Sequence, residues 1–170
     1  MTVTEADDLV PLVLRAQRGD AMAMSELLSV LAPYAARVCG PIALADGADA
    51  AQETLIAVFR NLRSLQDPAA CRGWVRAIAV RESVRLAKRS ARSTPVESLE
   101  HLPSRADVEQ AADIHDVLAR LSPEHRAVIV LRDLEGLDEV RAAALLSVPV
   151  GTVKSRLHRA RDTFRKAWSA

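Results

Sequence analysis

Near the carboxyl end, Lys154, Ser155, Arg156, His158 and Arg159, with Thr152 just before them, put an ammonium, two guanidiniums, two hydroxyls and an imidazole within two helical turns. These groups form hydrogen bonds and ion pairs, and none is arranged to break a covalent bond. Guanidinium forks grip guanine edges, while hydroxyls and imidazoles reach neighbouring bases or phosphates, so the set suits a nucleic-acid groove. The same spacing also fits an ordinary helical hairpin with a solvated basic face.

The element that must carry them is a helix. Val150, Val153, Leu157, Ala160, Phe164 and Trp168 recur at steps of three and four residues, one stripe that packs inward. At about 100° per residue, Ser155, His158, Arg159 and Asp162 then project from the other side, with Lys154 and Arg161 on one edge and Arg156 on the other. Before it come a short helix from Asp138 to Leu146, carrying Val140, Ala143, Ala144 and Leu145, and a tight turn, Ser147-Val148-Pro149. A short helix, a turn and a helix with a hydrogen-bonding outer face make a helix-turn-helix.

Charge is distributed unevenly along the 170 residues. The net charge of +1 conceals blocks of −5 over 1–59, +7 over 60–92, −5 over 93–125 and +4 over 126–170. Two basic blocks separated by an acidic one suggest two surfaces facing a polyanion, because Lys and Arg near phosphates displace condensed counterions.

Other chemistry finds little support. His101, His115, His125 and His158 are scattered without carboxylate or thiol partners at ligand spacing, so neither metal nor cofactor is expected. No glycine-rich phosphate loop, nucleophile elbow or paired carboxylates occur, and no enzyme is expected. Cys39 and Cys71 are too few for a disulfide framework and read as small buried apolar residues in a reducing cytosol. The acidic start (Glu5, Asp7, Asp8) contradicts a secretory signal, and no uninterrupted apolar stretch approaches the roughly 18 residues of a membrane span. A cytoplasmic protein is expected, without membrane insertion.

Aromatics at 3% and abundant helix formers point to an all-α fold. A first helix carries Leu9, Leu12, Val13 and Ala16 and stops at Arg18-Gly19-Asp20, where Asp20 caps a second helix with Met24, Leu27, Leu28 and Leu31 buried. A loop is expected through Gly40, Pro41, Asp46 and Gly47. A third helix begins at Asp49, with Leu55, Ile56, Phe59 and Leu62 as its apolar stripe. The fourth spans about 70–92 and packs through Trp74, Val75, Ile78, Ala79, Val84 and Leu86. The proline- and acid-bearing stretch after it reads as a linker. Next are a helix near 108–121, the start signal Ser122-Pro123-Glu124, and an apolar helix with Val128, Ile129, Leu131 and Leu134 ended by Gly136. The expectation is two small helical domains, 1–92 and 108–170, joined by a flexible linker at 93–107, the second a four-helix domain containing the helix-turn-helix.

The wording of two stretches, LSPEHRAVIVLRDLEGL over 121–137 and VPVGTVKSRLHRAR over 148–161, closely resembles the carboxyl-terminal promoter-recognition domain of sigma-70 type factors, above all the extracytoplasmic-function (ECF) RNA polymerase sigma factors. The first half resembles that family's other domain more loosely, through ADAAQETLIAVF over 48–59 and GWVRAIA over 73–79. The resemblance implies that Thr152, Lys154, Ser155, Arg156, His158 and Arg159 read or anchor the minus-35 promoter element. It places Arg72, Arg76, Arg81, Arg85, Lys88 and Arg89 in the part that binds and opens the minus-10 element. Asp49, Gln52, Glu53 and Arg60 fall where the family docks the clamp helices of the polymerase beta-prime subunit. Implied partners are core RNA polymerase, promoter DNA and, as the family admits, an anti-sigma factor.

The chain departs from the family pattern at Val80, Arg81 and Arg85, which follow the tryptophan motif where an Arg-Asn pair and an Asp are usual. Leu55 and Phe59 stand where larger aromatics are commoner. Ser147 stands in place of the usual turn glycine, which costs strain if φ must be positive. Two other readings fit the same residues: a stand-alone helix-turn-helix regulator, and a sigma-like protein-interaction module.

Overall fold

A computed structural model describes residues 9–93 and 114–168. Among these residues every regular element is helical: α1 (Val10–Gln17), α2 (Ala21–Ala43), α3 (Gly47–Asn61), α4 (Cys71–Ser93), α5 (114–119), α6 (Pro123–Ile129), α7 (Glu139–Leu146) and α8 (Val150–Trp168). The expected linker and the start of the helix near 108 lie outside the described residues.

Helix boundaries follow local chemistry. Gly19 takes φ +96° at the end of α1, and Asp20 then accepts from the Ala23 N–H at 3.0 Å to cap α2. Ser122 and Asp138 cap α6 and α7 in the same way, accepting from His125 and Arg141. A π-turn, Val130–Leu134, extends α6 until Gly136 reverses the chain at φ +67°.

The loop expected through Gly40 and Pro41 is helix instead. α2 continues to Ala43 with Pro33 and Pro41 inside it, and one 3₁₀ turn, Leu44–Asp46, leads directly into α3. An interior proline costs about 3 kcal/mol. Burial offsets that cost, since Leu27, Leu31, Ala35, Val38, Cys39 and Ile42 are all at most 1% exposed, and each large aliphatic among them contributes roughly 1.5–3 kcal/mol. The run Ala21–Ser64 is long and apolar enough to cross a membrane by length and composition, but these apolar side chains form the core of a helical bundle.

A second correction concerns the inner face of α3. Ala50, Thr54 and Val58 are fully buried there, Leu55 and Ile56 only partly so, and Phe59 is 59% exposed. At the start of α3 the approach of α2 is close, and a Cβ at Gly47 would lie 3.0 Å from the Gly40 Cα. The buried line of α3 runs through Ala50, Thr54 and Val58 at steps of four, and Phe59, one residue further, lies about 100° round the helix from it. Leu134 and Val140, expected in the core, are also exposed, at 60% and 66%. Leu134 ends the π-turn, whose changed phase rotates it off the buried face. In α7, Ala142 and Ala143 meet α8 and leave Val140 and Ala144 on the outside.

The two halves share one continuous core, in which α2 and α4 pack against α6. Arg126, 6% exposed, fastens the seam: its Nε donates to the Ile42 carbonyl at 2.7 Å, and its Nη1 to those of Leu121 at 2.7 Å and Leu118 at 3.3 Å. Ile42 lies in the last turn of α2, whose carbonyls have no partner within the helix. Cys39 and Cys71 are free and buried as expected, and burial pushes both thiols up.

Candidate nucleic-acid interface

α7, the turn at 147–149 and α8 form the expected helix-turn-helix. Ser147 takes φ 54° and ψ 44°, the left-handed conformation anticipated for this position. Its N–H bonds to the Ala144 carbonyl and that of Val148 to Ala143, closing α7. Val153, Leu157 and Ala160 of α8 are buried, and Val150 and Phe164 half-buried. The Trp168 side chain lies outside the described residues.

On the opposite side Lys154, Ser155, His158 and Arg159 are exposed. Thr152 is half-buried, and its carbonyl accepts from Ser155 Oγ at 3.1 Å. Lys154 Nζ stands 3.6 Å from a Glu139 carboxylate oxygen, and Arg161 pairs with Asp133, so the cations on one edge are also tied to neighbouring elements. Arg156 is different. It is half-buried and lines a groove of about 370 Å³ between α4, α7 and α8, together with Arg81, Arg85, Lys88, Leu145, Leu146 and Val148.

 A separate groove of about 380 Å³ is lined by Met24, Phe59, Arg60, Leu62 and Arg63.

The α4 cations do not form one open surface. Arg72 stacks on the Tyr34 ring with its guanidinium carbon 5.5 Å from the centroid. Arg76 reaches Glu135 at 3.4 Å, Arg81 donates to its own-helix carbonyl of Ala77, Arg85 pairs with Glu82, and Lys88 pairs with Glu124 across the seam. Burial works to raise the Glu124 carboxyl, but Lys88 outweighs it and holds the group below the usual range. Arg89 is exposed. Trp74 is half-buried against the core, as its spacing implied.

Asp49, Gln52, Glu53 and Arg60 are all exposed on α3. Helical spacing puts Ile56 and Phe59 among them, an apolar centre inside a charged rim that the sequence reading missed by assigning both residues to the core. Tyr34, Arg37 and Glu135, which meet at the seam, were also missed, because isolated polar residues far apart in sequence carry no pairing signal.

Comparison with known proteins agrees with this geometry. The family described as "Sigma-70, region 4" matches residues 111–164, the stretch that holds the helix-turn-helix. The ECF RNA polymerase sigma factor SigL of Mycobacterium tuberculosis is 37% identical over 143 residues, covering 78% of this chain and 79% of that one. The chain belongs to the ECF RNA polymerase sigma factors. Members of this family act in transcription initiation. SigE of Mycolicibacterium smegmatis is 34% identical over 131 residues; the match takes in 71% of this sigma factor but only about half (51%) of that relative's length. The fold matches the sigma factor RpoE of Bartonella quintana, solved in complex with the anti-sigma factor NepR, with a TM-score of 0.69 and 21% identity over 86% of this chain and 96% of that one.

Proposed function

We propose that this sigma factor binds core RNA polymerase and directs it to promoters, with the outer face of α8 reading the minus-35 element and the cations of α4 engaging the minus-10 element. It acts as two units, 1–92 and 108–170, linked through 93–107, works in the cytoplasm, and has no catalysis of its own. The observation that carries the reading is the two-sidedness of α8, where Val153, Leu157 and Ala160 are buried while Lys154, Ser155, His158 and Arg159 face outward. A helix held from behind in this way presents its donors to the major groove with little loss of side-chain order. Phosphate contacts from the basic blocks supply affinity, and α8 supplies sequence choice.

The outer face of α3, with Asp49, Gln52, Glu53 and Arg60 around Ile56 and Phe59, docks the polymerase clamp. Exposed aromatics ringed by charge are the usual anchors of protein interfaces. The family likeness brings an anti-sigma factor into the proposal as a further partner. The test is transcription by purified core polymerase from a pooled promoter library, with and without the chain. New transcripts whose templates share two spaced elements are expected. No transcripts beyond those of core polymerase alone, with operator binding by the chain by itself, would overturn the reading.

A further inference from the structure

The seam between the halves gathers cations of α2 and α4 around one carboxylate. Tyr34 of α2 donates its hydroxyl to a Glu135 carboxylate oxygen at 2.8 Å, Arg37 donates to the other at 3.1 Å, and Arg76 of α4 reaches the first at 3.4 Å. Arg37 and Arg72 also stand over the Tyr34 ring, 5.3 and 5.5 Å from its centroid. The Glu135 side chain is only 6% exposed. It arrives from the other half, thrown outward where the π-turn ends and Gly136 reverses the chain.

The positive charge exceeds that of one carboxylate. Two guanidiniums and a phenol bind a single negative charge, a third guanidinium, that of Arg72, lies over the phenol ring, and the buried Arg76 Nε has no acceptor. A buried donor without a partner costs free energy, so such a site suits an anion with more acceptor oxygens than a carboxylate. Arg72 and Arg76 belong to the α4 surface proposed to meet nucleic acid, which identifies that anion as a backbone phosphate. The same seam covers further cations of that surface, with Lys88 paired to Glu124, and with Arg81 and Arg85 lining the groove against α7 and α8.

We propose that Tyr34, Arg37, Arg72 and Arg76 form a phosphate-binding site for a nucleic-acid backbone, and that Glu135 occupies it in the free chain as an internal stand-in, keeping the halves closed until DNA displaces it. The inference rests on the reading that α4 meets DNA.

The test uses the full chain without polymerase. Affinity for a labelled single-stranded oligonucleotide of mixed sequence is measured by anisotropy at fixed salt, and closure by the distance between dyes on the exposed faces of α3 and α8. Glu135→Gln keeps the shape but removes the charge, and should raise oligonucleotide affinity about tenfold or more while lengthening the distance. Adding Arg76→Ala should abolish the gain in affinity but leave the halves open. Tyr34→Phe, which changes no charge, should lengthen the distance by itself and guards against misfolding of the Gln variant. Unchanged affinity in Glu135→Gln, whether or not the distance changes, overturns the proposal. So does a gain that survives Arg76→Ala. Promoter-directed transcription by the wild-type chain is scored separately: its failure beside a gain in Glu135→Gln would sink the initiation reading alone, and its success beside no gain would sink only this inference.

Discussion

Arg126 offers the sharpest test of how the two halves are held. Its guanidinium caps two helix ends at once, donating to Ile42 at the end of α2, to Leu118 in the last turn of α5 and to Leu121 just after it. Substitution by Met keeps the length and apolar stem but removes the donor to the Ile42 and Leu121 carbonyls, while Leu118 still accepts from the Leu121 N–H. The two bonds at 2.7 Å come from a charged donor and each contribute about 1.5–3 kcal/mol. Relief of the guanidinium's desolvation offsets part of this, so the net loss for Arg126→Met should be about 2–4 kcal/mol. Burial already acts against the charge here, pushing the Arg126 pKa down. In urea, with a slope of about 1–3 kcal/mol/M, such a loss moves the midpoint by roughly 1–2 M when followed by far-ultraviolet circular dichroism. Arg126→Lys should recover only part of it, since an ammonium cannot reproduce the planar fork. A loss below about 0.5 kcal/mol for the Met variant would refute the claim that Arg126 fastens the seam.

Further expectations follow from other sites. Ser147→Gly removes the left-handed strain at φ 54° and should stabilise the chain by about 1 kcal/mol, raising the melting temperature by roughly 2–4 °C; an unchanged or lower melting temperature would contradict the strain argument. Phe59→Asp should weaken binding to core polymerase at least tenfold, about 1.4 kcal/mol, with stability within about 0.5 kcal/mol of wild type, because the ring is 59% exposed; equal affinity would remove α3 from the docking surface. Cys39 and Cys71 are buried with their thiols pushed up by desolvation, so iodoacetamide near pH 8 should modify them slowly in the native chain and rapidly in denaturant. Modification of either at the free-thiol rate in the native chain would show that burial does not protect it.

Much of this architecture was legible in the sequence because it is encoded locally. The caps at Asp20, Ser122 and Asp138, the reversal at Gly136 and the two faces of α8 depend on residues within a few positions of one another. Ser147 was legible even as a departure, since only a left-handed residue closes that turn. What could not be read depends on partners far along the chain. Phe59 looks like core by its spacing, but the buried line of α3 runs through Ala50, Thr54 and Val58, and Phe59 lies about 100° round the helix from it. Leu134 follows the apolar period of α6 but is displaced by the π-turn. Glu135 and Arg126 are single charged residues in amphipathic stretches, and nothing in their neighbourhood announces Tyr34 or Ile42 as partners.

The central claim, that α8 reads bases while the rest of the chain is carried by polymerase, is tested most directly at Arg159. Transcription by core polymerase with wild-type or Arg159→Ala chain is compared on templates randomised across the minus-35 element. If Arg159 grips a base edge, its loss should relax preference at one position by about 1–3 kcal/mol and leave preferences elsewhere in place. An equal fall on every template would contradict the account.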